Sequence, residues 1–308
     1  MTAVRTLLLA LVCAYPLLWL LLPKHRRTLG GLGRYMLLGA AAVVILSPFV
    51  WLVAAAFKSR DAFSRYMFFP PPSTWSETMT LDNFRTLLVG DRSVQGRVPF
   101  VRYVLNSVFL ASATTAIQLV LASMGGYALA KFRFPGHKAI TALMLGSFLF
   151  PGMLLVAPLY KLSVDVGLID TYLGLLLPAA VSTYGMLLFR QAFASIPDDI
   201  MEAGRVDGCS EFGIFWQLMV PLVRPVSAAF CLVAFLGSWN AYLGPNVLLQ
   251  SQEKLTLPIV LNLYVAQHYN QYGVFLAGTL IAILPPAVLF LLLQKEFVRG
   301  LTSGSVKG

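Results

Sequence analysis

The chain is short of charge. Only 12% of its 308 residues are Asp, Glu, Lys or Arg, while 58% are hydrophobic; a soluble domain carries about 25% charged residues. So few polar groups cannot cover a water-exposed surface, which excludes an ordinary soluble domain. Disorder is excluded by the same count, because disordered chains are poor in apolar residues. Cysteine is scarce: Cys13 and Cys231 lie inside apolar runs and Cys209 in a polar segment, so neither a disulfide nor a metal site is expected. No Gly-x-x-x-x-Gly-Lys-Ser/Thr phosphate loop occurs, and ATP hydrolysis is not expected of this chain. There is no His-Glu-x-x-His pair, and His25, His137 and His268 sit in separate loops. An intramembrane enzyme is therefore poorly supported, and no cofactor is expected.

What is present is apolar sequence in long runs. A helix needs about 20 apolar residues to cross the hydrocarbon core. Residues 35–57, 103–130, 139–160, 171–189, 225–252 and 272–293 qualify, which predicts an all-α polytopic membrane protein with six core spans. A further apolar run over residues 6–23 ends in Leu-Leu-Leu-Pro and is followed by Lys24, His25, Arg26 and Arg27. A basic cluster after the run favours an uncleaved extra helix over a signal peptide. Residues 1–34 then form an apolar helix and basic linker, and residues 35–308 the transmembrane domain.

The net charge of +10 fits basic cytoplasmic loops rather than nucleic-acid binding. Arg34 precedes the first span; Lys131, Arg133 and Lys138 separate the second and third; Arg190, Arg205 and Arg224 separate the fourth and fifth; Lys295, Arg299 and Lys307 end the chain. These segments alternate consistently, which places all of them, and the C-terminus, in the cytoplasm. The expected location is the cell membrane.

All 13 acidic residues fall outside the six span cores. Ion-coupled transporters keep carboxylates within the membrane, so their absence argues against a stand-alone secondary transporter, the main alternative class. Polar residues in spans usually face the bundle interior. Asn106, Gln118, Asn240 and Tyr242, with the aromatic face of Trp239, are thus candidates either for a substrate path or for helix-to-helix hydrogen bonds.

The segment 190–224 carries a pattern. Pro197 suits the first position of a helix, Asp198 and Asp199 its first turn, and Gly208 the position after its end. Ser210 then suits an N-cap, and Phe212, Phe215, Trp216 and Met219 recur as one apolar stripe, closed by Pro221. Two short helices joined by a glycine turn are predicted on the cytoplasmic face. Such a hairpin either lies on lipid or docks into a partner's groove, and geometry alone leaves both open.

Glu202-Ala203-Gly204, Asp207-Gly208 and Pro221 resemble the EAA loop of membrane subunits of bacterial ATP-binding-cassette importers. Gly204 stands where that family usually has a second alanine, and Cys209 where alanine is common; both replacements are small. Trp239-Asn240 and the tail from Phe297 to Gly308 are similar to the carbohydrate-importer branch, nearest to the smaller permease subunit of maltose- and glycerol-3-phosphate-type importers. The resemblance runs from Tyr35 to Gly308 and implies six spans, so residues 6–23 lie outside it.

The resemblance implies a sugar permease without enzymatic activity, partnered by an ATPase dimer, a second homologous permease, an extracytoplasmic binding protein and the bilayer. It implies that Glu202 makes a charged contact with the ATPase, that Ala203 and Gly204 permit close approach, that Asp207 caps or pairs locally, that Gly208 forms the turn and that Pro221 ends the second helix. It also implies that the outer segment 250–263, with Gln250, Leu255, Thr256, Leu257 and Pro258, reaches the binding protein.

Overall fold

The computed structural model describes residues 26–89, 98–267 and 272–305. The expected helix over 6–23, His25, Asp91, His268 and residues 306–308 lie outside the described residues. Helices dominate, and among the described residues no strand forms beyond one isolated bridge between Lys58 and Met79. The chain divides into two compact units between Met79 and Thr80.

In the first unit, helix α1 (Arg26–Ala56) contains Pro48 and exposes Leu38, Val43 and Val44, as a lipid-facing or partner-facing span does. A short helix α2 (Arg60–Arg65) follows. The Lys58 side chain is buried, and its ammonium donates to the Tyr66 carbonyl at 2.7 Å and the Met67 carbonyl at 3.1 Å. Burial holds its pKa below the ordinary lysine value.

The second unit begins with α3 (Asp82–Val89) and the long α4 (Phe100–Lys131). Then come α5 (His137–Ser147), α6 (Val156–Asp165), α7 (Tyr172–Ala179) and α8 (Thr183–Ala194). The hairpin pair is α9 (Asp199–Val206) and α10 (Glu211–Leu222). The chain ends with α11 (Arg224–Trp239), α12 (Leu243–Leu248), α13 (Leu257–Gln267) and α14 (Tyr272–Ser305).

Three of the expected spans are unbroken helices: Gly33–Ala56, Phe100–Lys131 and Tyr272–Glu296 are each long and apolar enough to cross a membrane. The other three are not continuous. The third bends by 96° between Ser147 and Gly152, where Pro151 lacks the N–H that would continue the ladder and disfavours helix at the residue before it. The fourth bends by 41° after Ala179. Pro178 weakens the last turn of α7, and Ser182 starts α8 by accepting a hydrogen bond from the Gly185 N–H at 3.0 Å. The fifth stops at Trp239 rather than reaching residue 252. The Asn240 amide caps the Leu236 carbonyl at 2.9 Å, and Pro245 cannot supply the next interior N–H.

Two buried clusters lie toward the two ends of α4. One gathers Phe100, Tyr103, Phe235, Trp239 and Tyr264; the other gathers Tyr127, Phe189, Phe193, Phe215 and Phe230. Between α4 and α8 the backbones nearly touch. A Cβ on Gly126 would lie 2.5 Å from the Phe189 Cβ and 2.7 Å from the Arg190 nitrogen, so only glycine fits without movement.

Candidate functional site: the helical hairpin and the 250–258 segment

The hairpin is built from local signals. Asp198 occupies the N-cap position of helix α9 without a side-chain capping bond, so Pro197 lies just before that position rather than at the first helical one. Asp198 is drawn there by Lys131, the last residue of α4. The Lys131 ammonium donates to the Ile196 carbonyl and to Asp198 Oδ1, both at 2.5 Å. The Lys131 side chain is 4% exposed and that of Asp198 75%. The hydrogen bond and charge of Lys131 hold the Asp198 carboxyl below its ordinary pKa.

At its other end, α9 closes in a Schellman motif. The Cys209 N–H donates to the Gly204 carbonyl at 2.9 Å and the Gly208 N–H to the Arg205 carbonyl at 3.1 Å. Asp207 is the C-cap, and Gly208 has φ +80°, a conformation open to glycine and costly for other residues. Ser210 starts α10, its hydroxyl oxygen accepting from the Gly213 N–H at 3.1 Å. An ion pair bridges the turn, with Arg205 Nε 2.6 Å from Glu211 Oε1; the hydrogen bond from Arg205 lowers the Glu211 pKa.

The expected stripe on α10 is split. Residues Ile214–Met219 form a π-helical segment, whose wider turn carries one extra residue and shifts the faces beyond it. Phe215 and Met219 are buried with Ile214, whereas Phe212 is 65% and Trp216 40% exposed. Pro221 sits inside the last turn, one residue before the helix ends, and α10 meets α11 at 81°.

Glu202 and Ala203 are exposed, but Gly204 is buried. Its missing side chain makes room within the hairpin, since a Cβ there would lie 2.7 Å from Leu218 Cδ1 and 3.2 Å from Ile214 Cγ1. The close approach that Gly204 allows is therefore between α9 and α10. The exposed surface of the hairpin includes Asp199, Glu202, Ala203, Arg205, Val206 and the turn itself.

The outer candidates fall into separate environments. Asn106 is buried, and its amide donates to the Glu253 carbonyl at 2.8 Å and the Leu255 carbonyl at 2.9 Å. It fastens the segment from Glu253 to Leu255 to α4. Trp239 is 4% exposed and stacks on Phe235 at 5.8 Å, within the buried cluster. With Asn240, Leu257 and Pro258 it borders a groove of ≈ 630 Å³ that also touches α14. Gln118, Tyr242 and Thr256 instead line a cavity of ≈ 620 Å³. Gln118 donates to the Ala179 carbonyl at 2.6 Å, and the Tyr242 hydroxyl reaches Asn262 at 3.4 Å.

The stretch from Leu255 to Pro258 is not a free loop. Leu257 begins α13, Thr256 and Leu257 are buried, and the Leu257 N–H donates to Ser107 Oγ at 2.8 Å. Exposure is found at Gln250, Ser251, Gln252 and Glu253. These are organised by Asp170, a residue without any local sequence signal and with φ +56°. Its Oδ1 accepts from the Gln250 and Ser251 N–H groups, both at 3.0 Å; its Oδ2 accepts from the Ser251 hydroxyl and, at 2.9 Å, from Lys254. Burial raises the Asp170 pKa, but these hydrogen bonds outweigh it and hold the carboxyl well below the usual range.

Comparison with known proteins adds a common description. Residues 118–302 match the family described as binding-protein-dependent transport system inner membrane component. The arabinooligosaccharides transport system permease protein AraQ of Bacillus subtilis is 39% identical over 232 residues, covering 75% of this chain and 80% of that protein. The lactose transport system permease protein LacG of Rhizobium radiobacter is 31% identical, covering 92% of this chain and 98% of its own length. The crystal structure of a bacterial ABC transporter involved in import of the acidic polysaccharide alginate superposes on 89% of this chain with TM-score 0.74 at 24% identity, covering 98% of its own chain.

Proposed function

Since the chain belongs to the family of binding-protein-dependent transport system inner membrane components, we propose that it is one of two homologous permease subunits of a carbohydrate importer, driven by a separate ATPase dimer and supplied by an extracytoplasmic binding protein. Its carbohydrate cargo is supported by relatives such as those named for arabinooligosaccharides and lactose. The spans are oriented with the C-terminus in the cytoplasm, as the basic loops favour.

The observation that carries the reading is the hairpin: a rigid, hydrogen-bond-closed turn whose exposed side offers Glu202 and Ala203. Glu202 makes the charged contact with the ATPase, and Ala203 lets the partner approach. When ATP closes the ATPases, the hairpin moves with them. α10 continues through an 81° corner into α11, and so passes that motion to the membrane helices. A ligand drives such a change only by its different affinity for the two states; here ATP and the loaded binding protein supply that difference. The exposed residues from Gln250 to Glu253 face the binding protein.

The test is ATPase activity of the full complex, reconstituted with partner permease, ATPases and binding protein, across a panel of sugars. The expected result is stimulation by a sugar, lost in Glu202→Ala and in Gly208→Pro, since proline cannot adopt φ +80°. Equal stimulation in all three proteins ends the coupling assignment. Failure of the chain to assemble with any ATPase ends the importer reading in favour of a stand-alone transporter.

A further inference from the structure

The loop from Phe132 to Gly136, which joins α4 to α5, is tied back onto α4. The His137 Nε2–H donates to the Leu129 carbonyl at 2.8 Å, and the His137 ring meets Phe134 edge-on at 5.5 Å. Phe132 meets Tyr127 edge-on, also at 5.5 Å. Gly136 makes the turn into α5 at φ +89°. The tight contact of α8 with Gly126 brings Arg190 beside the last turns of α4. Together these elements enclose a cavity of ≈ 690 Å³. Arg133, Lys138 and Arg190 line it with His137, while Leu129 and Phe134 supply apolar wall; among the described residues that line it there is no Asp or Glu.

The three cations are not neutralised from within. Among the described residues, none of Arg133, Lys138 and Arg190 makes an ion pair. Asp198 takes its hydrogen bond from Lys131 and feels Arg133 only as a charge beyond ion-pair distance. Like charges around one cavity repel one another, and the half-buried Arg190 is incompletely screened by water. An anion in the cavity removes that repulsion, and two guanidinium forks match the oxygens of a phosphate. The position selects the kind of phosphate. The cavity lies where the apolar span of α4 ends at Lys131. Beside it α5 exposes Ile140 and Leu143, one turn apart, and Phe132 is exposed as well. A soluble phosphate would use the cations alone, whereas a phospholipid also lays its acyl chains on this apolar row. Basic pockets between transmembrane helices suit anionic lipid head groups.

We infer that this cavity is a site for the head group of an anionic phospholipid, its phosphate held by Arg133 and Arg190 with Lys138 as a further charge. The site is separate from the sugar path and from the ATPase contact. Only its leaflet, the cytoplasmic one, rests on the orientation proposed above.

The test places the full complex in phosphatidylcholine nanodiscs that carry a trace of phosphatidylglycerol with a photoreactive head group, and maps the cross-links by peptide mass. Unlabelled phosphatidylglycerol, phosphatidylcholine and inorganic phosphate are the competitors, and sugar-stimulated ATPase activity is measured in parallel. The expected result is cross-linking within residues 129–139 and around Arg190, displaced by phosphatidylglycerol and not by the other two. The double variant Arg133→Gln, Arg190→Gln is expected to weaken the apparent lipid affinity roughly five- to thirtyfold. Arg133→Lys with Arg190→Lys is expected to weaken it less, and Lys295→Gln, an exposed charge on α14 outside the cavity, not at all. The wild-type map decides even where a variant fails to assemble. Cross-links spread evenly over the spans overturn the inference, as does equal displacement by phosphatidylcholine. Displacement by inorganic phosphate as strong as by phosphatidylglycerol overturns the lipid assignment in favour of a soluble anion. Unchanged affinity in the double glutamine variant overturns it too. A complex with normal sugar-stimulated ATPase activity and no cross-link at this cavity, as when a partner subunit covers it, overturns the inference and leaves the importer reading standing.

Discussion

At its C-terminal end α4 meets the hairpin through packed rings: Tyr127 lies 5.4 Å from Phe193 and 5.1 Å from Phe215, and Phe189 lies 5.5 Å from Phe230. Lys131 adds one buried charge at the entry to the loop. At its N-terminal end the same helix holds the segment around Glu253 through polar bonds, from Asn106 and Ser107, while Asp170 gathers that segment from α7's side. Close-packed rings resist shear and transmit displacement. A few directional hydrogen bonds fix one geometry and let go together. The first arrangement suits an element carried as a body, and the second a segment with a defined seated state.

The comparison breaks most readily at the α4–α8 contact. Gly126→Ala forces apart the Phe189 and Arg190 backbone. Overpacking of this kind costs about 1–3 kcal/mol or more. It is expected to lower the melting temperature of the purified complex and to abolish stimulated ATPase activity, leaving labelling of a cysteine placed at Gln252 unchanged. Asp170→Asn is next. Asparagine tolerates the positive φ, so the substitution tests the carboxylate alone, at about 1–3 kcal/mol for the bonds it loses. Labelling at Gln252 is expected to rise while the basal ATPase activity, measured without binding protein, is kept, in contrast to the Gly126 pattern.

The pH dependence of the outer loop follows in sign. A carboxyl whose pKa is depressed by folding contributes stability above its unfolded value, about 3.9, and loses it only as pH falls through the lower folded value. Proteolysis of the wild-type outer loop is therefore expected to be flat from pH 8 to pH 5. Lys131→Met is expected to expose the hairpin entry to protease and reduce coupling several-fold, with the outer loop unaffected. The smallest effect belongs to Arg205→Gln. Exposed ion pairs contribute little, so the melting temperature should not move measurably, and a clear drop would mean that the hairpin turn depends on charge as well as on its backbone bonds.

Much of the hairpin was legible because its signals are local. Gly208 and Ser210 act through their own backbone or through bonds three to five residues away. The span count was legible in bulk hydrophobicity, but the breaks at Pro151 and Pro178 were hidden inside runs that hydrophobicity alone reads as continuous. The π segment leaves no such trace, since its hydrogen-bond register is chosen by the packing of Ile214, Phe215 and Met219. Asp170 could not be found from sequence, because its partners lie 80 or more positions away and its importance comes from a loop conformation. Trp239 and Leu257, read as groups facing substrate or binding protein, are instead packed inside, as bulky apolar side chains beside a buried cluster generally are.

The π segment in α10 can also be considered as an edit to the gene. A single surplus residue is housed between Ile214 and Met219, and removing one codon there, at Gln217 for instance, would return the helix to ordinary winding. That deletion would turn everything before it by about 100° and draw it in by about 1.5 Å relative to the corner at Val223. The knob formed by Gly208 and Glu202 would then point elsewhere. The number of residues in this stretch sets the compass bearing of the hairpin.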